Sequence, residues 1–328
     1  MPASRHHDAC VVIVVADGAR PDTLGAAIDD GALPALARLR AGGGMHTVVS
    51  CFPSVTGPAY APFLTGRLPG AAGLPGIRWL DRARRTFALR SRARSYVGPG
   101  GLRIDDDLDP AAPTLFELAP SVGALSVITR GLPRGRRVGS GARFTLRAAR
   151  AHFAGDVDAW LAIDRDLARD VRARVRALRP RVVFAAFAGV DKASHALGHE
   201  APRVRDALAI VDDAVGGLCR DAERDGRWRG MHVWVVSDHG HAPVSAHDDL
   251  AELLEGWGLR VLAHPWLARR SADVAVMVGG NAMAHLYLEP AAREREPWPA
   301  REPRWSRLVE RLLERPSVEL VLLPHAPD

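Results

Sequence analysis

Three acidic residues follow apolar runs that are typical of buried strands, and two of them have a histidine close by. The acids are Asp17, Asp191 and Asp238. His195 lies four residues after Asp191, and His239 directly follows Asp238. The carboxyl ends of parallel strands meet at one edge of a sheet, so these side chains are predicted to converge there. Carboxylates and imidazoles are common ligands of divalent metals, so the pattern predicts a metal site.

Each acid also has a purely structural interpretation. An Asp after a strand commonly caps the following helix by accepting hydrogen bonds from its first N–H groups. Any one of the three acids is open to that interpretation. The joint pattern of three strand ends and two nearby histidines favours the metal site.

Thr56 is the candidate nucleophile. It lies between Pro53 and Pro58, beside Gly57, at the predicted start of a short helix. The free N–H groups of a helix N-terminus suit a phosphoryl group. A metal bound to the hydroxyl oxygen would lower its pKa and make it nucleophilic at neutral pH. The alternative is that Thr56 only caps the helix.

Apolar and amphipathic patterns alternate along the chain and predict an α/β fold with a mostly parallel sheet. The predicted strands are residues 11–16, 46–50, 124–129, 182–188, 231–236, 274–278, 285–288 and 318–323. The predicted helices are residues 33–41, 60–65, 114–118, 156–178, 204–219 and 305–313. Residues 82–113 are predicted to be an irregular insertion, because their mixed charge lacks periodicity. The alternative for this insertion is a segment that covers the substrate.

The charge distribution argues against a nucleic-acid-binding module. The net charge is +6 and the isoelectric point is near 10.0, but Lys192 is the only lysine. The arginines are spread along the chain and mixed with acids, whereas a nucleic-acid footprint is clustered. The net positive charge is still compatible with a modest attraction for anionic substrates.

The cysteines and the N-terminus indicate a cytoplasmic protein without a membrane partner. The chain has three cysteines, Cys10, Cys51 and Cys219. This odd number does not suit a disulfide framework and includes no CxxC pair, so a reducing compartment is expected. The apolar run at residues 11–16 is too short for a signal-peptide core or a membrane span.

Four sequence blocks together resemble the alkaline phosphatase superfamily, in its branch of nucleotide pyrophosphatases and type I phosphodiesterases. The blocks are residues 14–18, ending in Asp17-Gly18; residues 52–66, where Thr56 lies nine residues before Thr65-Gly66; Asp191-x-x-x-His195 with Gly198; and Ser237-Asp238-His239-Gly240. The resemblance implies a three-layer αβα sandwich around a mostly parallel sheet. It also implies one alkaline-phosphatase-like catalytic domain over residues 1–328, truncated at its C-terminus.

The resemblance further implies two divalent metal ions, usually zinc. It assigns Asp17, Thr56, Asp238 and His239 to one metal and Asp191 and His195 to the other. Thr56 would attack phosphorus, form a phospho-threonine, and so hydrolyse a phosphodiester or pyrophosphate bond of a small phosphorylated substrate. The alternatives are a phosphomonoesterase, a phosphonate hydrolase or a mutase-like enzyme of the same superfamily. An inactive homologue that binds metal without turnover and a metal-free α/β binding protein are further alternatives.

Three departures from the family pattern stand out. Ser194 occupies a position where the family has glycine, and residues 76–79 lack the family's phosphate-binding asparagine. Arg78 is predicted to replace that asparagine as a substrate-binding cation. No His-Gly pair follows Gly240, although the family has a third metal-binding histidine late in the chain. A truncated chain is the favoured explanation, and His285 or another histidine is the alternative ligand. His241 and His247 flank the fourth block; they are interpreted as polar loop residues, and the alternative is that they support the metal ligands or contact the substrate.

Overall fold

The computed structural model describes residues 9–81, 93–263, 271–280, 282–292 and 296–324. Its strands, in chain order, are β1 (Cys10–Ala16), β2 (Arg78–Leu80), β3 (Ala93–Ser95), β4 (Ser121–Ala124), β5 (Arg137–Val138), β6 (Val182–Phe187), β7 (Met231–Val236), β8 (Val261–Ala263), β9 (Val274–Val278) and β10 (Ala284–Leu288). Its α-helices are α1 (Pro21–Asp29), α2 (Pro34–Gly43), α3 (Ala61–Thr65), α4 (Ile104–Asp107), α5 (Leu115–Leu118), α6 (Ala142–Phe153), α7 (Val157–Leu178), α8 (Gly189–Leu197), α9 (Pro202–Arg224), α10 (Leu250–Gly256) and α11 (Trp298–Leu313).

The chain forms two compact units. The first unit consists of Met1–Ile77 and Tyr96–Pro243, and the second of Arg78–Ser95 and Val244–Asp328. The assignment of all 328 residues to one catalytic domain stays a prediction. Within the described part of the chain, no helix is both long enough and apolar enough to cross a membrane.

The first unit is built on a five-stranded sheet in the order β5-β4-β6-β1-β7. All of its neighbouring strands run parallel. Strand β1 lies between β6 and β7, and its residues Val12, Val14 and Val15 are fully buried. A continuous apolar run is what a parallel strand covered on both faces requires.

Helices cover both faces of this sheet. Successive residues of a strand point to opposite faces. The even-numbered residues of β1 pack in a cluster with Leu161 of α7 and Val211 of α9. Ile13 and Val15 pack on the other face in a cluster with Leu64 of α3. The predicted three-layer αβα sandwich with a mostly parallel sheet is therefore confirmed.

Part of the segment expected to be irregular contributes to the core. Residues 82–92 lie outside the described residues, but residues 93–113 include β3, α4 and a short 3₁₀ helix. Ile104 and Leu108 are buried in the cluster that covers the α3 face of the sheet. Asp105 accepts hydrogen bonds from the backbone and the hydroxyl of Thr129, at 2.8 and 2.7 Å.

Two predicted strands are wrong. Residues 46–50 form no strand, and Val48 and Val49 are 78% and 98% exposed. Residues 318–323 form none either, and Leu320 and Leu322 are largely exposed. Both segments have strand-like composition, but β structure requires a pairing partner. The strand predicted at 124–129 lies earlier, as β4, and ends before Leu125, whose φ is 48°.

The second unit has its own small sheet, in the order β10-β9-β8, and a hairpin formed by β2 and β3. Strands β9 and β10 are antiparallel, whereas β8 and β9 are parallel. Leu254 of α10 and Leu308 of α11 pack with Val274 and Val276 in its core.

Candidate metal centre

The sheet order brings the three acids together. Asp17 directly follows β1, Asp238 follows β7, and Asp191 lies in the first turn of α8, which follows β6. Because β6 and β7 are the two neighbours of β1, their carboxyl ends lie side by side. The backbone N–H of Gly18 donates to Asp238 Oδ1 at 3.2 Å and ties two of these strand ends to each other.

The first group of side chains surrounds Thr56. Its hydroxyl donates to Asp17 Oδ1 at 3.1 Å, and its Oγ1 lies 3.1 Å from His239 Nε2. His239 Nε2 also lies 3.5 Å from Asp17 Oδ1 and 3.6 Å from Asp238 Oδ2. The hydroxyl of Tyr60 donates to Asp17 Oδ2 at 2.9 Å. Sequence reasoning missed Tyr60, although its position at the start of the predicted helix beside Thr56 was a signal.

The backbone around Thr56 does not use the hydroxyl as a helix cap. Gly57, with φ 103°, precedes the 3₁₀ helix Pro58–Tyr60, which has no side-chain cap. The amide of Ala59 bonds the carbonyl of Val55 instead. The Thr56 hydroxyl therefore donates to Asp17 and does not bond the backbone N–H groups of the helix.

The second group of side chains surrounds Asp191 Oδ1. His195 Nε2 lies 3.2 Å from this oxygen, and His241 Nε2 lies 3.3 Å from it. The other carboxylate oxygen, Oδ2, accepts a hydrogen bond from Lys192 Nζ at 2.7 Å. The rings of His195 and His241 meet edge to face, with centroids 4.7 Å apart. The sequence interpretation favoured a polar loop residue at position 241 and kept a role beside the metal ligands as the alternative; the contact with Asp191 agrees with that alternative.

Helix α8 presents Asp191 and His195 on one face, because residues four apart in a helix are neighbours. Asp164, from the buried face of α7, fixes the start of this helix. Its carboxylate accepts hydrogen bonds from the amides of Ala188 and Gly189, at 3.3 and 2.7 Å. Burial raises the pKa of Asp164 to about 7. An acid among the apolar positions of α7 was the sequence signal for this role, and sequence reasoning missed it.

The electrostatics of the centre favour a bound cation. Burial raises the pKa of Asp17 well above its ordinary value, and the charges of Asp238 and Asp191 raise it further. Burial also raises the pKa of Asp238. Burial opposes ionisation of Asp191 too, yet the nearby imidazoles of His195 and His241 outweigh it and hold the pKa well below its ordinary value. Three carboxylates this close repel one another unless a positive charge lies between them.

The donor set fits a divalent metal ion. The ligand atoms of Asp191, His195 and His241 all lie within 4.8 Å of one another, and so do those of Asp17, Asp191 and His239. Asp191 Oδ1, Asp238 Oδ2 and His241 Nε2 are buried and have no hydrogen-bond partner among the described residues. Buried polar atoms are normally paired, so unpaired ones beside each other fit the coordination of a cation. Mixed carboxylate and imidazole donors suit zinc, and also manganese or iron.

A family model described as type I phosphodiesterase / nucleotide pyrophosphatase matches residues 11–315. The chain belongs to this family. The resemblance drawn from the four sequence blocks is thereby confirmed, and the protein is a phosphoric ester hydrolase. No match was found among curated proteins.

Solved structures show the fold of this phosphodiesterase-family chain in other proteins. Phosphonoacetate hydrolase from Sinorhizobium meliloti, in complex with phosphonoformate, has a TM-score of 0.63 and 20% identity, covering 96% of this chain and 75% of that chain. Its complex with phosphonoacetate gives a TM-score of 0.61. Murine ectonucleotide pyrophosphatase / phosphodiesterase 5, an inactive form with AMP, has a TM-score of 0.54 and 15% identity, covering 86% of this chain and 66% of that chain.

Three further residues of this phosphodiesterase-family chain were noted in the sequence: Arg78, His285 and Ser194. Arg78 lies in β2 of the second unit, where its Nη1 donates to the carbonyl of Val278 at 3.4 Å. His285 lies in β10 of the same unit, opposite Met277 of β9. Ser194 is buried in α8, and its hydroxyl has no hydrogen-bond partner among the described residues. The role of Arg78 toward a substrate stays a prediction.

Proposed function

We propose that the chain hydrolyses a phosphodiester or pyrophosphate bond of a small phosphorylated molecule, with Thr56 as the nucleophile and two divalent metal ions as cofactors. The observation that supports it most directly is the position of Thr56 Oγ1, which lies 3.1 Å from both Asp17 Oδ1 and His239 Nε2. A threonine hydroxyl held between a carboxylate and an imidazole is positioned for activation.

The metal ions belong to the two groups of side chains described above. Asp17, Thr56, Asp238 and His239 would hold one ion, and Asp191 and His195 would hold the other; the histidines favour zinc. Bound metals of this kind lower the pKa of an attached oxygen and stabilise negative charge on phosphoryl oxygens.

Thr56 forms and breaks the covalent bonds in this proposal. Its Oγ1 attacks phosphorus in line, the P–O bond to the leaving group breaks, and the hydroxyl proton passes to Asp17, its hydrogen-bond acceptor. The leaving oxygen takes a proton from solvent. Water then attacks phosphorus and releases one proton to solvent, the bond between phosphorus and Oγ1 breaks, and the proton held by Asp17 returns to Thr56 Oγ1. Tyr60 holds the second oxygen of Asp17, so that Oδ1 faces Thr56 throughout.

The substrate is proposed to be small and phosphorylated rather than a nucleic acid. Arginines of the described surface often pair with acids, as Arg147 does with Asp166 and Arg205 with Asp30, which leaves less free basic surface. Residues 76–79 lack the phosphate-binding asparagine, and Arg78 is proposed to take its place. The three cysteines are all free, which supports the proposed cytoplasmic setting.

Hydrolysis of a bis-aryl phosphate should be compared with that of an aryl monophosphate and of phosphonoacetate. We expect the diester to be turned over fastest; faster turnover of the monoester or the phosphonate would instead support the alternatives named above.

Thr56→Ala should lower kcat/KM on the order of 1000-fold, because the hydroxyl cannot be replaced by another group. Thr56→Ser should retain part of the activity. Full activity of Thr56→Ala would contradict the nucleophile assignment.

A further inference from the structure

We infer that His241 is the third protein ligand of the second metal ion, beside Asp191 and His195. This inference rests on the proposed two-metal function. In the family pattern the third ligand is a histidine late in the chain. Here the loop after β7 supplies an imidazole that reaches the same carboxylate oxygen as His195.

The distances match a tetrahedral zinc site. His195 Nε2 and His241 Nε2 lie 3.2 and 3.3 Å from Asp191 Oδ1. Zinc binds nitrogen and oxygen at about 2.0–2.1 Å, so two ligands of a tetrahedral ion are about 3.3 Å apart. Both distances from Asp191 Oδ1 therefore match ligands of one ion, and the ligand atoms of all three residues lie within 4.8 Å of one another.

The state of the ligand atoms also indicates a metal. Asp191 Oδ1 and His241 Nε2 are both buried, and neither has a hydrogen-bond partner among the described residues. The His241 side chain is only 11% exposed. Burying a polar atom without a partner is costly, and a metal ion bound by both atoms removes that cost. Lys192 occupies the other oxygen of Asp191, which leaves Oδ1 for the histidines.

The segment after β1 holds His241 in place. Gly18 has φ +72°, and a Cβ added to it would lie 2.6 Å from His241 Nε2 and 3.2 Å from the Cα of Asp191. The ring can therefore approach Asp191 only because residue 18 has no side chain. The Arg20 guanidinium donates to the backbone carbonyl of His241, and Asp22 holds that guanidinium through two hydrogen bonds of 2.9 and 2.6 Å.

Metal content tests this inference on the full chain. The wild type, His241→Ala and His241→Gln are equilibrated with buffered free zinc, and bound zinc per chain is measured. We expect two equivalents in the wild type and a loss of one equivalent, or a second site weaker by about 100-fold, in both variants. His247→Ala is the matched control, because His247 is an exposed histidine of the following segment.

A second measurement separates ligation from a structural role. Added imidazole should restore the second equivalent in His241→Ala, because it can occupy the space of the missing ring and bind the same ion. Two tightly bound equivalents in His241→Ala without imidazole would overturn the inference and leave the proposed function standing. Absence of bound zinc in the wild type would overturn both the inference and the proposed function. Unchanged thermal unfolding of the metal-free variants would show that they remain folded.

Discussion

Asp17 is shared between two hydroxyl donors, and each oxygen of its carboxylate has a different partner. Tyr60 donates to Oδ2 at 2.9 Å and Thr56 donates to Oδ1 at 3.1 Å. Tyr60 is fully buried, and its ring packs edge to face on Phe184 with centroids 5.5 Å apart. Its ring therefore packs in the core, whereas its hydroxyl contacts a residue of the proposed metal centre.

Removing that hydroxyl should lower activity without unfolding the protein. In Tyr60→Phe the ring still packs on Phe184, but Asp17 loses a buried donor and becomes less well positioned toward Thr56. We expect kcat to fall about 10-fold with little change in KM, because the substrate makes no contact with this hydroxyl in the proposed mechanism. Steady-state kinetics on the bis-aryl phosphate measure the effect. Tyr96→Phe is the control, since Tyr96 also donates to an Asp at 2.9 Å; equal losses in both variants would contradict the prediction.

Gly18 allows a prediction that separates backbone strain from loss of a ligand. Gly18→Ala should cost about 1–2 kcal/mol of stability because of the positive φ. It should also weaken zinc binding, because the new methyl group displaces His241. Gly66 has a similar φ of 68°, but a Cβ added there meets nothing within 4 Å. Gly66→Ala should therefore lose comparable stability and keep full zinc binding, as measured by urea unfolding and zinc titration. Equal zinc binding in both variants would contradict this account.

At the scale of elements, the hydrogen bonds from the start of α8 to Asp164 position two proposed metal ligands. Because the pKa of Asp164 in the folded chain is raised to about 7, this carboxyl binds its proton more tightly when folded than when unfolded. Its contribution to stability is therefore fully present below about pH 4 and is lost as the pH rises through about 7. The two amides that donate to this carboxyl lower its pKa and so limit the rise that burial causes.

Asp164→Asn should remove this component of the pH dependence. The difference in unfolding free energy between the wild type and the variant should be about 2–3 kcal/mol more in favour of the wild type at pH 5 than at pH 8. Urea unfolding at the two pH values measures it. Asp156→Asn serves as a control, because Asp156 caps α7 at its exposed N-terminus. A constant difference across this range would show that Asp164 is not the group that titrates.

The sequence predicts best the strands and helices whose own pattern of apolar residues shows which of their faces are buried. The bounds of strand β1 and helix α7 were predicted within one residue. In an α/β fold a continuous apolar run is typical of a strand buried on both faces, and a one-sided apolar stripe is typical of a helix buried on one face. Residues 46–50 and 318–323 have similar composition but no strand partner, which a local pattern does not reveal. Tyr60 was missed, and His241 was given only as an alternative, for the same reason: their contacts are with Asp17 and Asp191, which are distant in the chain.

At the scale of the whole molecule, the centre joins segments from both ends of the first unit. Its ligand candidates follow β1, precede α3, lie in α8 and follow β7. A metal ion that bridges them would stabilise the folded state over the unfolded one, by about 2.7 kcal/mol at a free concentration 100 times its Kd. Without the ion, the same buried carboxylates repel each other. The charges that are proposed to bind the metal therefore lower the stability of the metal-free protein.

Asp238→Asn should show that the charge of Asp238 destabilises the metal-free protein and stabilises the zinc-bound one. The amide oxygen can still accept the hydrogen bond from Gly18, while the buried negative charge beside Asp17 and Asp191 is removed. In a chelator, we expect the free energy of unfolding of the variant to exceed that of the wild type by about 1–2 kcal/mol. The variant should therefore unfold at a higher temperature. With zinc, the order should reverse, because the variant lacks a charged ligand. Thermal unfolding of both proteins with chelator and with zinc measures both effects. A variant that is less stable in chelator and gains as much from zinc as the wild type would show that Asp238 neither repels its neighbours nor binds the metal.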